Sequence, residues 1–198
     1  MNLDAISFTK KSGKEQFVGD KICTTLLDFW KWAYSDLIGN TERGTVAEFI
    51  VAMACNINDS VRISWDSYDL TLKNGIKVEV KSSSYLQTWK QKKLSMPVFN
   101  IPETKSWNSI NNEFGSEKKR HADVYIFALL SHQDKETLNP LHLSQWEFFV
   151  IDTKTLNKKM LSSKTITLQK LIQIGAKSAS YENLHETILL TFQIDDRN

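Results

Sequence analysis

Apolar residues recur at intervals of three and four between Glu15 and Ile38, where Val18, Ile22, Leu26, Phe29, Ala33 and Leu37 form one stripe. That spacing predicts a long amphipathic helix, closed by Gly39-Asn40. A second helix is expected from Asn40 or Thr45 to Ala54. From Val61 the pattern changes to alternation and short apolar runs, which predict strands over Val61 to Trp65, Asp69 to Leu72 and Ile76 to Ser82, and a short one within Ser95 to Ile101. Ala122 to Leu130 is almost continuously apolar, as a central strand buried on both faces should be, and Glu147 to Ile151 resembles it. The polar stretch Ser131 to Leu143 between them predicts a loop. Beyond Asp152 the grouping of Leu168, Leu171 and Ile172 and the piece Tyr181 to His185 read as helical, with Ile188 to Ile194 as a final strand. Helices before, between and after strands make an α/β sandwich of a central mixed β-sheet flanked by helices.

The pair of strands after Tyr68 can be placed in register from its pattern alone. Side chains alternate faces along a strand, so a slip of one residue exchanges the core face for the solvent face. A two-residue Asn74-Gly75 turn would set Leu72 against Lys77 and Leu70 against Glu79, mixing apolar and charged side chains on both faces. A three-residue Lys73-Asn74-Gly75 loop with a left-handed Gly75 sets Leu70 against Val78 and Leu72 against Ile76. The second arrangement is selected, with Leu70, Leu72, Ile76, Val78 and Val80 on the core face. It lays Asp69 opposite Glu79, on the face that carries Lys77 and Lys81. Two carboxylates with a lysine beside them suit Mg²⁺, which keeps several waters and takes one or two protein carboxylates together with phosphate oxygens. A lysine there can orient or deprotonate an attacking water. The plain alternative is an amphipathic edge strand with Glu79 and Lys81 on a solvated face. Asp66 competes with Asp69 as a ligand but does not face Glu79 in this register.

Composition narrows the class. The chain has 198 residues, 41% of them apolar, enough for a single packed domain spanning 1–198. No stretch approaches the roughly 20 apolar residues of a membrane span, and the start Met-Asn-Leu-Asp-Ala lacks the plan of a signal peptide, so a cytoplasmic protein is expected. Cys23 and Cys55 sit in helical patterns and are expected as buried thiols, and the histidines show no zinc spacing. A net charge of +2 says little by itself, but residues 84–120 hold seven basic residues against three acidic ones. This basic, Trp-containing insertion lies just beyond Lys81. Lys90, Lys92 and Lys93 are candidates for phosphate attraction, Gln87 for a base edge and Arg120 for a phosphate.

Asp69 followed by Glu79-Val80-Lys81 resembles the PD-(D/E)xK motif of the restriction endonuclease-like nuclease superfamily, although Tyr68 stands where a proline is usual. Arg43-Gly44-Thr45-Val46-Ala47-Glu48 opening an apolar helix is similar to the segment that brings a further glutamate in that superfamily. Thr45 and Glu48 also fit a helix capping box. The resemblance covers roughly residues 40 to 130, a span set by the motif and the elements beside it. It implies a restriction endonuclease-like fold and Mg²⁺-dependent hydrolysis of phosphodiesters in double-stranded DNA, with Mn²⁺ as a substitute. Asp69, Glu79 and the carbonyl of Val80 would hold the metal, Lys81 would position the water, and Glu48 would hold a second metal or a metal-bound water. A restriction-type endonuclease is preferred, which for a symmetric duplex target implies a homodimer. The alternatives are a junction-resolving or repair nuclease, and a non-catalytic nucleic-acid-binding module on the same fold. Asp123, in the strand that follows, is expected to be structural.

Overall fold

The computed structural model describes residues 6, 9–64, 66–108 and 112–195. Its centre is a five-stranded mixed sheet in the order β1 (Leu70–Thr71), β2 (Lys77–Ser84), β6 (Val124–Leu130), β7 (Trp146–Asp152) and β9 (Lys177–Ala179). β2 and β6 run parallel and the other neighbouring pairs antiparallel. Every residue of β6 is buried, which is why its sequence shows no alternation.

Each face of the sheet carries its own core. On one face α2 (Asn40–Ala54) and α5 (Leu184–Asp195) cover Val78, Val80, Ile126, Ala128, Phe148 and Val150. On the other, α3 (Thr153–Met160), α4 (Leu168–Gln173) and the small antiparallel pair β3 (Val98–Asn100) with β8 (Thr165–Thr167) cover Tyr125, Phe127, Leu129, Phe149 and Ile151. The expected α/β sandwich around a mixed sheet is the one observed.

Several expected elements differ. The stripe from Glu15 to Ile38 is not one helix: α1 spans only Leu26–Ala33 and buries none of its residues. Thr25 starts it with a capping box, its hydroxyl accepting from the Asp28 amide while its own amide donates to Asp28 Oδ2. Upstream the chain folds back instead, with Phe17 N donating to Thr24 O at 3.0 Å, a bridge between Gln16 and Thr25, and Lys21 at φ 61°. Cys23, on this fold-back, is therefore exposed, while Cys55 is buried and its thiol is pushed up to about 11 by burial. Val61 to Ser64 forms no strand, and Trp65 lies outside the described residues. Ile188 to Ile194 belongs to helix α5, where Leu184, Ile188 and Thr191 are buried at helical spacing. Within the basic insertion, β4 (Thr104–Asn108) and β5 (Glu113–Lys119) form a separate two-stranded ribbon, with Trp107 against Phe114 at 5.0 Å between ring centres. Among the described residues no helix is long and apolar enough to cross a membrane.

Candidate active site

The hairpin that opens the sheet adopts the three-residue turn its alternation requires. Leu70 pairs with Val78 and Thr71 with Lys77, the Leu72 amide donates to Ile76 O at 2.9 Å, and Gly75 sits at φ +88°. Beyond Leu70 the regular pairing ends: the Asp69 amide donates to Val78 O at 3.1 Å, the residue already opposite Leu70, and the Val80 amide donates to Asp69 Oδ2 at 2.7 Å. Asp69 sits immediately before the two-residue edge strand, with its carboxylate bonded into β2 at Val80 and close enough to Glu79 for the two charges to repel. Lys81, two residues on and therefore on the same face, donates its ammonium to Glu79 Oε1 in an ion pair.

Burial and repulsion make this pair hungry for positive charge. The Asp69 carboxyl is pushed up to about 7, first by burial, then by the charges of Glu79 and Glu48; Lys81 and the Val80 amide pull it back only in part. Tyr125, the parallel-strand neighbour of Glu79, has its hydroxyl pushed upward by burial and by the same two carboxylates, Glu79 and Asp69.

Glu48 comes from α2. The helix begins at Asn40 behind Gly39, so Thr45 is already inside it and bonds back to Thr41 O rather than capping. The capping-box reading of Thr45 and Glu48 is thereby removed. Buried Glu48 is instead gripped by Arg62, whose Nε and Nη2 reach its two carboxylate oxygens, the latter at 2.8 Å. The Arg62 guanidinium is held charged first by that hydrogen-bonded pairing and further by Asp69. Among the described residues no three His, Cys, Asp or Glu group as a metal cage. Arg62 went unnoticed in the sequence because its segment reads as an ordinary strand; an arginine between Val61 and Ile63, shortly before Asp69, is the only signal it gives.

The candidate DNA contacts divide sharply. Lys90, Lys92 and Lys93 are exposed on a loop that leaves β2 at Ser84 and surrounds an open cavity of about 530 Å³ with Trp89, Leu94 and Met96. Gln87, by contrast, is an internal strut: its amide donates to Gln91 Oε1 at 2.7 Å and its side chain to Ser84 O. Gln91 likewise ties Tyr85 O to Ser95 Oγ, so these amides shape the loop and are not turned outward. Arg120 is a second correction. It is buried, and its guanidinium donates to Ile101 O, Asn157 Oδ1, Leu161 O and Ser163 O, joining the insertion to α3 and turning it inward, away from any phosphate at the surface. Asp123 is structural as expected, exchanging bonds with the Lys77 backbone that lock β2 to β6.

Comparison with known proteins adds one match. No curated protein and no solved structure matches the chain. Residues 9–170, most of its length, match the family model described as bacteriophage T4 endonuclease IV. A nuclease is what the fold and the clustered carboxylates now have to explain, for the chain belongs to the bacteriophage T4 endonuclease IV family.

Proposed function

We propose that the protein is a Mg²⁺-dependent DNA endonuclease of PD-(D/E)xK type. The observation that supports this is the clustering at the hairpin: Asp69 bonded to the Val80 amide and repelled by Glu79, with Lys81 bonded to Glu79. The residues fit the ion: hard oxygen donors, two carboxylates in line with magnesium's preference for few protein ligands, and an Asp69 carboxyl pushed up by burial and by the charges of Glu79 and Glu48, which a bound cation would offset. Asp69, Glu79 and the Val80 carbonyl would hold Mg²⁺ or Mn²⁺, with Glu48 serving a second ion or a bound water once it leaves Arg62. The ion, when bound, supplies Lewis acidity toward the scissile phosphate. Lys81 orients the attacking water, and the exposed Lys90, Lys92 and Lys93 draw in the DNA backbone. The endonuclease family supports DNA as substrate.

The restriction-type role is preferred because two elaborations, the lysine loop and the β4–β5 ribbon, are inserted between β2 and β6 and enlarge the surface beyond what hydrolysis needs. Cutting both strands of a symmetric duplex site would then call for a two-fold dimer. Replacing Asp69 or Lys81 by Ala should lower cleavage of DNA by at least a hundredfold while the protein stays folded, as losses of general-base or electrostatic groups do. Excess chelator should do the same to the wild type. Cleavage that persists through either treatment removes the mechanism. Discrete fragments from a long DNA support the restriction-type role; a smear or junction-only cutting goes against it.

A further inference from the structure

Arg62 is a charged side chain beside the acidic centre, close enough for Asp69 to act on it, that the mechanism above leaves without work. Its guanidinium makes a two-pronged pair with Glu48 and donates through Nη1 to Ser64 Oγ at 3.2 Å. It is carried on residues 61–64, which have neither helix nor strand bonds to fix them. The Arg62 side chain keeps 41% of its surface in solvent, whereas Glu48 keeps 11%. An incoming anion can therefore approach the arginine from outside while the carboxylate lies behind it. A phosphodiester offers the same two-oxygen fork as a carboxylate, so the two compete for one guanidinium.

We propose that Arg62 is a phosphate ligand of the active site held in reserve by Glu48: substrate DNA takes the guanidinium over, and the freed carboxylate turns to the centre formed by Asp69 and Glu79. The role rests on the DNA-cleaving reading above and deepens it. Two consequences follow from the competition. Without substrate, Glu48 is masked by Arg62 and the site is short of its third carboxylate. With substrate, binding and assembly of the site become one event, so a carboxylate that would repel phosphate faces it only after the phosphate is seated.

The test is a double-mutant cycle on DNA binding in chelator, where no cleavage occurs. A short fluorescein-labelled DNA, single-stranded and duplex forms in separate titrations, is bound by wild type, E48Q, R62A and E48Q/R62A, with thermal melting as the check that each is folded. E48Q releases Arg62 and should tighten binding about tenfold, with the log–log salt slope steeper by about one. In the R62A background the same substitution removes the same negative charge but frees no arginine, and should tighten binding only about twofold. R62A alone should weaken binding severalfold. Equal factors for E48Q in both backgrounds overturn the proposal, because they reduce Glu48 to a background charge. E48Q/R62K, compared with R62K, guards against a misfolded R62A: lysine cannot match the two-pronged pair, so the factor should fall between the other two. Because every readout is binding in chelator, an equal-factor result leaves the cleavage reading standing. That reading falls on its own assay, the activity of the Asp69 and Lys81 variants.

Discussion

Asp69 holds a proton because the fold crowds it, and the crowding has a sign that can be measured. Its carboxyl moves from 3.8 in the unfolded chain to about 7 in the native one. The native state therefore binds the proton more tightly, and the stability this contributes is complete below about pH 4 and lost as pH rises through about 7. Asn cannot titrate, yet its side-chain oxygen can still accept from the Val80 amide. Without divalent metal, Asp69→Asn should be more stable than wild type at about pH 8, by about 2–4 kcal/mol, with the gap closing toward about pH 4. Saturating Mg²⁺ should shrink the gap from the other side by stabilising only the wild type. Urea unfolding at several pH values reads both. Parallel curves across that range would mean that Asp69 is not under the pressure its neighbours imply.

The hairpin that delivers Asp69 is a weak element made definite by its turn. β1 has two residues, so few ladder bonds oppose a slip, and the register depends on the loop from Lys73 to Gly75. Gly75 has φ +88° and open space where a Cβ would go. Ala there meets backbone strain alone, about 1 kcal/mol. Gly75→Ala should lower the melting temperature by about 2–4 °C and leave cleavage per folded molecule nearly intact. Loss of cleavage in a folded variant would show the register yielding with the turn. This element was legible in the sequence because its two faces differ so much: five apolar side chains could be buried together in one register only. β6 was legible for the opposite reason, burial on both faces. Helix α1 was misjudged because the stripe from Val18 to Leu37 matches helical spacing whether or not anything covers it, whereas Thr25 and Asp28 decide locally where the turn begins. Glu48 lies on α2 as expected, but its partner could not be read: the Arg62 contact joins residues 14 apart whose meeting depends on how the chain leaves the helix.

For the molecule as a whole, the net charge of +2 is less informative than where cations are free to meet an anion. Lys90, Lys92 and Lys93 share one loop, and that loop is held from within by Gln87 and Gln91 and from outside by Lys135, whose ammonium donates to Trp89 O at 2.8 Å. Their charges are presented together at little ordering cost, which favours a backbone-tracking grip over base reading. Arg120 belongs to the same basic stretch of sequence but to the interior of the fold, its donors engaged by three carbonyls and Asn157. The two groups should separate cleanly by experiment. Replacing all three lysines with Ala should weaken DNA binding to a similar degree for every sequence and flatten the log–log salt slope by about two to three, with the melting temperature nearly unchanged. Arg120→Ala should do the reverse: it orphans buried acceptors and costs about 2–4 kcal/mol of stability, while the molecules that remain folded keep the wild-type salt slope. Anisotropy titrations over a range of salt, paired with melting curves, distinguish them. A slope that survives the triple replacement would move the DNA path off this loop, leaving Lys105, Lys118 and Lys119 of the exposed β4–β5 ribbon as the cations next in line.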